Sequence, residues 1–371
     1  MKDYIYYALF FLLGGLICFF VFSPNKAPTQ LTKIERVKII THRSPLTYRL
    51  PDEIAFCNER VPLEKRNVWE RLDKEFLLAI GNTPQVMLWL KRSNRYFPYI
   101  EKRLREEGLP EDLKYLAVIE SDLIQDVCSP VGAAGPWQFM KSTARKMGLQ
   151  VNGVIDERYD FYKSTDAAIQ YLKRLNQSFD NWTLSVAAYN LGITRIRSEM
   201  KGQIINDYYY LELPNETERY LFRAIAAKLI LSRPEKFGFS LEKDQYYEPI
   251  SHDIVDLKIK RTTSLKVIAQ ASESYLRVIK ELNPQIRGLY LPRGHYQIKI
   301  PKGKSYAFEE NFQKVTRTNP TPAIYVVRKG DNLTKIARRY NISISQLVKL
   351  NGIREAETIY PGQRLVIRQG V

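Results

Sequence analysis

Leu113-Lys-Tyr-Leu-Ala-Val-Ile-Glu120-Ser121 decides the reading of this chain, because an acid stands in register with its apolar residues. On a helix, Leu113, Leu116, Ala117, Leu123 and Ile124 all lie three, four or seven positions from Glu120 and so share its face. A carboxyl group projecting from an apolar stripe loses hydration of its charged form, which raises its pKa and keeps a proton available near neutral pH. That is the property a general acid needs. Taken alone, however, the helix fits better a buried glutamate that pairs with an arginine or caps a neighbour, so other residues have to decide.

Working outward, helical patterns dominate residues 52–240, broken by turns at 81–84, 108–110 and 130–136. Helices are expected over 111–122, 142–147, 165–176, 183–191 and 217–231, with Ser, Thr or Glu often at their starts. In Gly132-Ala-Ala-Gly135-Pro136-Trp137-Gln138-Phe139-Met140, two glycines and a proline make a tight loop that lets a ligand approach the backbone and presents Gln138. An ordinary connector with Trp137 in the core is the competing reading. Ala187-Ala188-Tyr189-Asn190-Leu191-Gly192 falls at a helix end, where Asn and Gly also occur for conformational reasons. Glu216-Thr217-Glu218-Arg219-Tyr220 starts a helix, with Thr217 as its expected cap and a tyrosine one turn in.

In this order, Glu120-Ser121, Gly135-Pro136-Trp137-Gln138, Ala188-Tyr189-Asn190-Leu191-Gly192 and Glu216-Thr217 with Tyr220 resemble the lytic transglycosylases of the goose-lysozyme-like (SLT) superfamily. Within it, the set is similar to the membrane-bound lytic murein transglycosylase D type, over about residues 61–239. The resemblance implies a mainly α, lysozyme-like catalytic domain that cleaves the bond between N-acetylmuramic acid and N-acetylglucosamine in peptidoglycan without water. It implies Glu120 as catalytic acid and base, Ser121 hydrogen-bonded near it, Gln138 and Asn190 holding substrate, and Tyr189 and Tyr220 orienting the sugar or Glu120. No second carboxylate is placed by a recognisable motif to serve as nucleophile or water-activating base; Asp156-Glu-Arg158 resembles the family's structural turn. Trp137 and residues 208–210 are further aromatic candidates for stacking on sugar. Pro136 departs from the family, which usually has leucine or methionine there, and puts the loop geometry in question. A hydrolase using the same acid and a non-catalytic wall-binding scaffold are the alternatives.

The C-terminal third repeats itself. Leu265, Ile268, Ala269, Leu282, Asn283 and Gly294 each precede Leu333, Ile336, Ala337, Leu350, Asn351 and Gly362 by 68 positions. Each copy reads as strand, helix, helix, strand, a small α+β module. The second copy, about 323–369, resembles a LysM domain, which implies that Gly330, Asp331, Asn332 and Leu333, with Ile359, Tyr360 and Pro361, bind N-acetylglucosamine-containing chains. The first, 246–302, has Thr262 and Thr263 where Gly330 and Asp331 would map, and reads as a degenerate LysM-like module. Residues 303–322 read as a linker.

With 371 residues, 44% hydrophobic and 26% charged, the chain suits one substantial core plus small modules. A net charge of +17 favours an anionic partner, but no zinc-finger, helix-turn-helix or aromatic-basic RNA signature accompanies it, so nucleic acid is not expected. Three histidines without metal-ligand spacing give no sign of a metal site, and no cofactor is expected. The uncharged apolar run 5–22 reads as an inner-membrane anchor, with a cleaved export signal as the alternative, and 24–51 as a tether. This places the protein on the periplasmic side of the cell envelope, where Cys57 and Cys128 would be permitted, though not required, to form a bridge.

Overall fold

The computed structural model describes residues 48–318, 323–353 and 359–368, so the anchor and the tether as far as residue 47 lie outside the described residues. The tether's last residues already belong to the folded part: Leu50 is buried, and the Tyr48 hydroxyl donates to the Phe237 carbonyl.

A short hairpin of β1 (Ala55–Phe56) and β2 (Glu59–Arg60) opens the helical domain. Eight α-helices follow: α1 (Arg66–Gly81), α2 (Thr83–Glu106), α3 (Lys114–Ser121), α4 (Lys141–Lys146), α5 (Phe161–Phe179), α6 (Trp182–Leu191), α7 (Ile193–Gln203) and α8 (Asn215–Ser232). A helix apolar on most sides belongs in the middle of a domain. That describes α8, whose Tyr220, Leu221, Phe222, Ala224, Ile225, Ala226, Ala227 and Ile230 are all buried and whose alanines let α1, α3 and α6 approach closely. Amphipathic α5 instead lays one face, including Ala168, Ile169, Leu172 and Leu175, on the core. Side chains of Asn82, Asp160 and Asn181 cap α2, α5 and α6 by accepting backbone N–H bonds. A bidentate pair of Arg219 with buried Glu75 fastens α8 to α1.

Beyond residue 240, the first repeat pairs β3 (His252–Ile259) with β6 (Gly294–Pro301) antiparallel, from His252 opposite Pro301 to Ile259 opposite Gly294. Helices α9 (Leu265–Ala271) and α10 (Leu276–Leu282) lie between, with short β4 (Thr263–Ser264) against β5 (Tyr290–Leu291). The second repeat has β7 (Ala323–Val326), α12 (Leu333–Arg339), α13 (Ile344–Asn351) and β8 (Arg364–Arg368). Where residues 303–322 are expected to be a linker, Ser305–Thr318 forms a helix, α11, instead. Its Phe308 and Phe312, one turn apart and stacked at 5.7 Å, are buried in the first repeat's core. Cys57 is buried and Cys128 exposed, and both are free, so the permitted bridge is absent.

Each repeat is closed by the same asparagine. The Asn351 amide donates to Leu347 O at 2.7 Å and Val366 O at 2.9 Å and accepts from Val366 N–H at 2.7 Å. Asn283 does the same with Ile279 O, Lys299 O and Lys299 N–H. The amide thus replaces a missing strand, satisfying backbone groups that burial would otherwise strand. Lys299 corresponds to Val366 at an offset of 67, not 68, so the first repeat holds one extra residue between Gly294 and Lys299, within its closing strand. Asn351→Leu should destabilise the second repeat by about 3 kcal/mol through lost bonds and unpaired backbone groups. Differential scanning calorimetry should show its transition falling while that of the helical domain stays put.

Candidate active site

Glu120 sits in the last turn of α3, and the helix stops directly after it because Asp122 and Leu123 adopt left-handed φ angles of 55° and 58°. Two α2 side chains hold that turn: Trp89 Nε1 donates to Asp122 Oδ1 at 2.7 Å, and Arg92 donates to the Asp122 carbonyl at 2.9 Å. From α8, the buried Tyr220 hydroxyl donates to Glu120 Oε1 at 2.5 Å. One turn along, Arg223 donates to Ile119 O at 2.8 Å and brings its positive charge to bear on Glu120.

Glu120 keeps an accessible facet, yet protein crowds its other sides. Burial pushes its pKa up to about 7 against the opposing pull of the Tyr220 hydrogen bond and the Arg223 cation, with repulsion from Glu216 adding to the rise. Burial likewise holds the Tyr220 and Tyr189 phenols well above their ordinary range, so both remain O–H donors.

The loop after α3 is clamped from behind. Arg158 binds Asp156 through Nε and Nη2 and donates from Nη1 to Gly132 O at 2.7 Å and Phe139 O at 2.8 Å. Gly135 is required here: its φ is +80°, and a Cβ would meet the Arg158 carbonyl at 1.7 Å. Gln138 also has positive φ, 46°, and its amide donates to Gly135 O, leaving a half-exposed side chain at the loop's turn. Pro136 fits without a cis bond; it is buried, and its carbonyl accepts the Ser121 hydroxyl at 2.8 Å. Ser121 therefore fastens α3 to the loop and lies buried beside the acid.

At the end of α6, the Tyr189 hydroxyl donates to Trp137 O at 2.8 Å, and Gly192, φ +95°, ends the helix as the conformational reading expects. Asn190 Oδ1 accepts the Thr217 hydroxyl at 2.7 Å. This corrects the expected cap: Pro214 occupies the N-cap of α8, while Thr217 is buried in the first turn and joins α8 to α6. The four motifs therefore meet, linked by hydrogen bonds. Trp137, Tyr208 and Tyr209 stand apart as core side chains, Trp137 Nε1 donating to Thr165, whereas Tyr210 is exposed. The sequence reading did not single out Arg223 or Thr217's link to Asn190. Position 223 lies three residues from Tyr220, on the same helical face, which was the available signal.

In the second repeat, Asp331 Oδ2 accepts from Tyr325 OH and Arg328 N–H, and Asn332 caps α12. Gly330 is exposed at φ +85°, and Leu333 packs partly into the small core. The 327–333 turn adjoins the 359–363 loop, since Gly362 N–H donates to Val327 O and Val327 N–H to Gln363 O. Ile359, exposed Tyr360 and Pro361 line a cleft of about 780 Å³ shared with the first repeat and the helical domain, and Lys141 sits 5.5 Å over the Tyr360 ring. Glu120 is not in that lining. Among the described residues, no group of three or more His, Cys, Asp or Glu is placed to hold a metal ion.

The family described as Transglycosylase SLT domain matches residues 97–209, and the LysM domain family matches residues 325–368. The chain thus carries a transglycosylase SLT domain in its helical part and a LysM domain in its C-terminal part. Membrane-bound lytic murein transglycosylase D of Escherichia coli K12 is 29% identical over 296 residues, 75% of this chain and 64% of that protein. The chain thus spans just under two thirds of that relative's length. A putative tributyltin chloride resistance protein of Alteromonas sp. strain M-1 is 33% identical over 153 residues, 40% of this chain and 74% of that one. Among solved structures, the soluble lytic transglycosylase SLT70 of Escherichia coli aligns at 22% identity and a TM-score of 0.35, over 49% of this chain and 31% of that one, too low a score to bear on the fold.

Proposed function

We propose that this protein cleaves the β-1,4 bond between N-acetylmuramic acid and N-acetylglucosamine in peptidoglycan, with the LysM domain retaining it on the glycan. The observation that carries this reading is Glu120: a carboxyl with pKa near 7, held at 2.5 Å by the tyrosine of a second motif. Protonated, it gives its proton to the glycosidic oxygen as the C1–O bond breaks. The resulting carboxylate then takes the proton of the muramic C6 hydroxyl as that oxygen bonds to C1. The acid is regenerated, no water is consumed, and the strand ends in a 1,6-anhydro ring. Gln138, Tyr189 and Asn190 are assigned to holding the sugars, Tyr220 to orienting Glu120, and Ser121 to steadying the helix end. Gly330, Asp331, Asn332, Leu333, Ile359, Tyr360 and Pro361 are assigned to glycan retention. Envelope location on the periplasmic side, with the 5–22 run as anchor, completes the reading; among the described residues no helix is long and apolar enough to cross a membrane.

Mass spectrometry of digested murein tests the chemistry: 1,6-anhydro-muramic ends are expected, and reducing muramic ends would replace this reading with hydrolysis. The hydrolytic alternative has one observation in its favour, the exposed carboxylate of Glu216, whose charge reaches Glu120. A base that activates water would be indispensable, each such group contributing roughly 10²–10⁴-fold. Under the lyase reading, Glu216→Gln should leave turnover within about tenfold of wild type while lowering the Glu120 pKa, seen as a shift of the upper pH limb to lower pH. A loss of that larger size, with product still reducing, would favour hydrolysis.

A further inference from the structure

The first repeat is docked onto the catalytic domain, not strung beside it. Ile155 of the catalytic domain is buried in the repeat's core and bridges to Ile286. Backbone bonds cross the seam in both directions, Asp156 N–H to Gln285 O at 2.8 Å and Arg287 N–H to Val154 O at 2.9 Å. Alongside, partly buried Lys299 pairs with buried Asp160 at 2.7 Å, and Arg287 stacks 3.9 Å over the Tyr159 ring. Removing either member of such an ion pair leaves an uncompensated charge, so the seam resists opening.

All these contacts land on residues 154–160, the segment that clamps the loop behind Glu120. Asp156 fixes Arg158, Arg158 fixes the carbonyls of Gly132 and Phe139, and the loop's own carbonyls receive Ser121 and Tyr189. We propose that the first repeat is a positioning element of the active site: Gln285, Ile286 and Lys299 fix the 154–160 segment, and Arg158 passes that constraint to the loop presenting Gln138. The altered turn at Thr262 and Thr263 suits a module whose task is support and not glycan binding. Only the kinetic part of the test rests on the proposed lyase activity.

Native-state amide hydrogen exchange of the full chain in rising denaturant reads the coupling directly. The Asp156 and Arg287 amides at the seam and the Ala134 and Phe139 amides in the loop should lose protection in one shared opening. Loop amides that exchange through a smaller opening while the seam stays protected would overturn the proposal. In Lys299→Met, and in the gentler Ile286→Ala, seam and loop should open together, with kcat falling about 10- to 100-fold and KM changing less, the size expected for a misplaced catalytic geometry. If the seam opens in either variant while loop exchange and kcat stay at wild-type values, the proposal fails. Shared opening in a chain that cleaves no peptidoglycan would support the coupling and reject the lyase reading alone.

Discussion

Glu120→Gln is expected to abolish strand cleavage, a loss of roughly 10²–10⁴-fold or more, while leaving sedimentation with peptidoglycan intact. The amide can still accept the Tyr220 hydrogen bond, but its N–H protons are far too weakly acidic to be transferred to the leaving oxygen. The same substitution should stabilise the fold at neutral pH. With a folded pKa of about 7 against the usual 4.5, Glu120 holds its proton more tightly folded than unfolded between those values. Its effect is therefore absent below about pH 4.5, and stability declines as pH rises to about 7, reaching a deficit of roughly 3 kcal/mol above that. Thermal melts should show the variant above wild type near pH 8 and the two converging in acid. Wild-type turnover in the variant would remove Glu120 from the mechanism; parallel melts at all pH would remove the raised pKa.

Gly135→Ala is the second large effect. Its methyl would have to occupy the space of the Arg158 carbonyl, at 1.7 Å, in a backbone conformation that already disfavours a side chain. The backbone must shift, and a cost of about 4 kcal/mol is in the range of the most damaging single substitutions. Because Arg158 and Phe139 are bonded across the same point, the loop should lose its shape and Gln138 its place. Thermal unfolding and residual turnover would both report it; a chain melting within about 1 kcal/mol of wild type would show that the loop is looser than its contacts indicate.

Much of this was legible in the sequence because helical periodicity reports which side chains share a face. Glu120 stood out by standing among leucines, and the repeat by simple subtraction. Its partner Tyr220 lies 100 residues away, and nothing local says that α8 passes beside α3. Thr217 was misread because a Thr flanked by acids imitates a helix start, whereas the proline three residues earlier takes the cap. The helix at 305–318 was hidden by the threonines in its last turn and the prolines just after it, although Phe308 and Phe312 already had helical spacing. Docking of the first repeat could not be read at all. Ile155 and Ile286 look like any other core residues, and only the assembled surfaces show that they share one core.

That seam also determines where the molecule can be divided. The LysM unit closes around a core made of its own residues alone and can be exchanged after residue 318 without opening the cores of the helical domain or the first repeat. A chain severed after residue 240 would leave Val154 and Ile155 facing water and Asp160 without its ammonium partner. The smallest portable form of the helical domain therefore extends to Thr318, and grafting it onto a different tail requires taking those extra residues along.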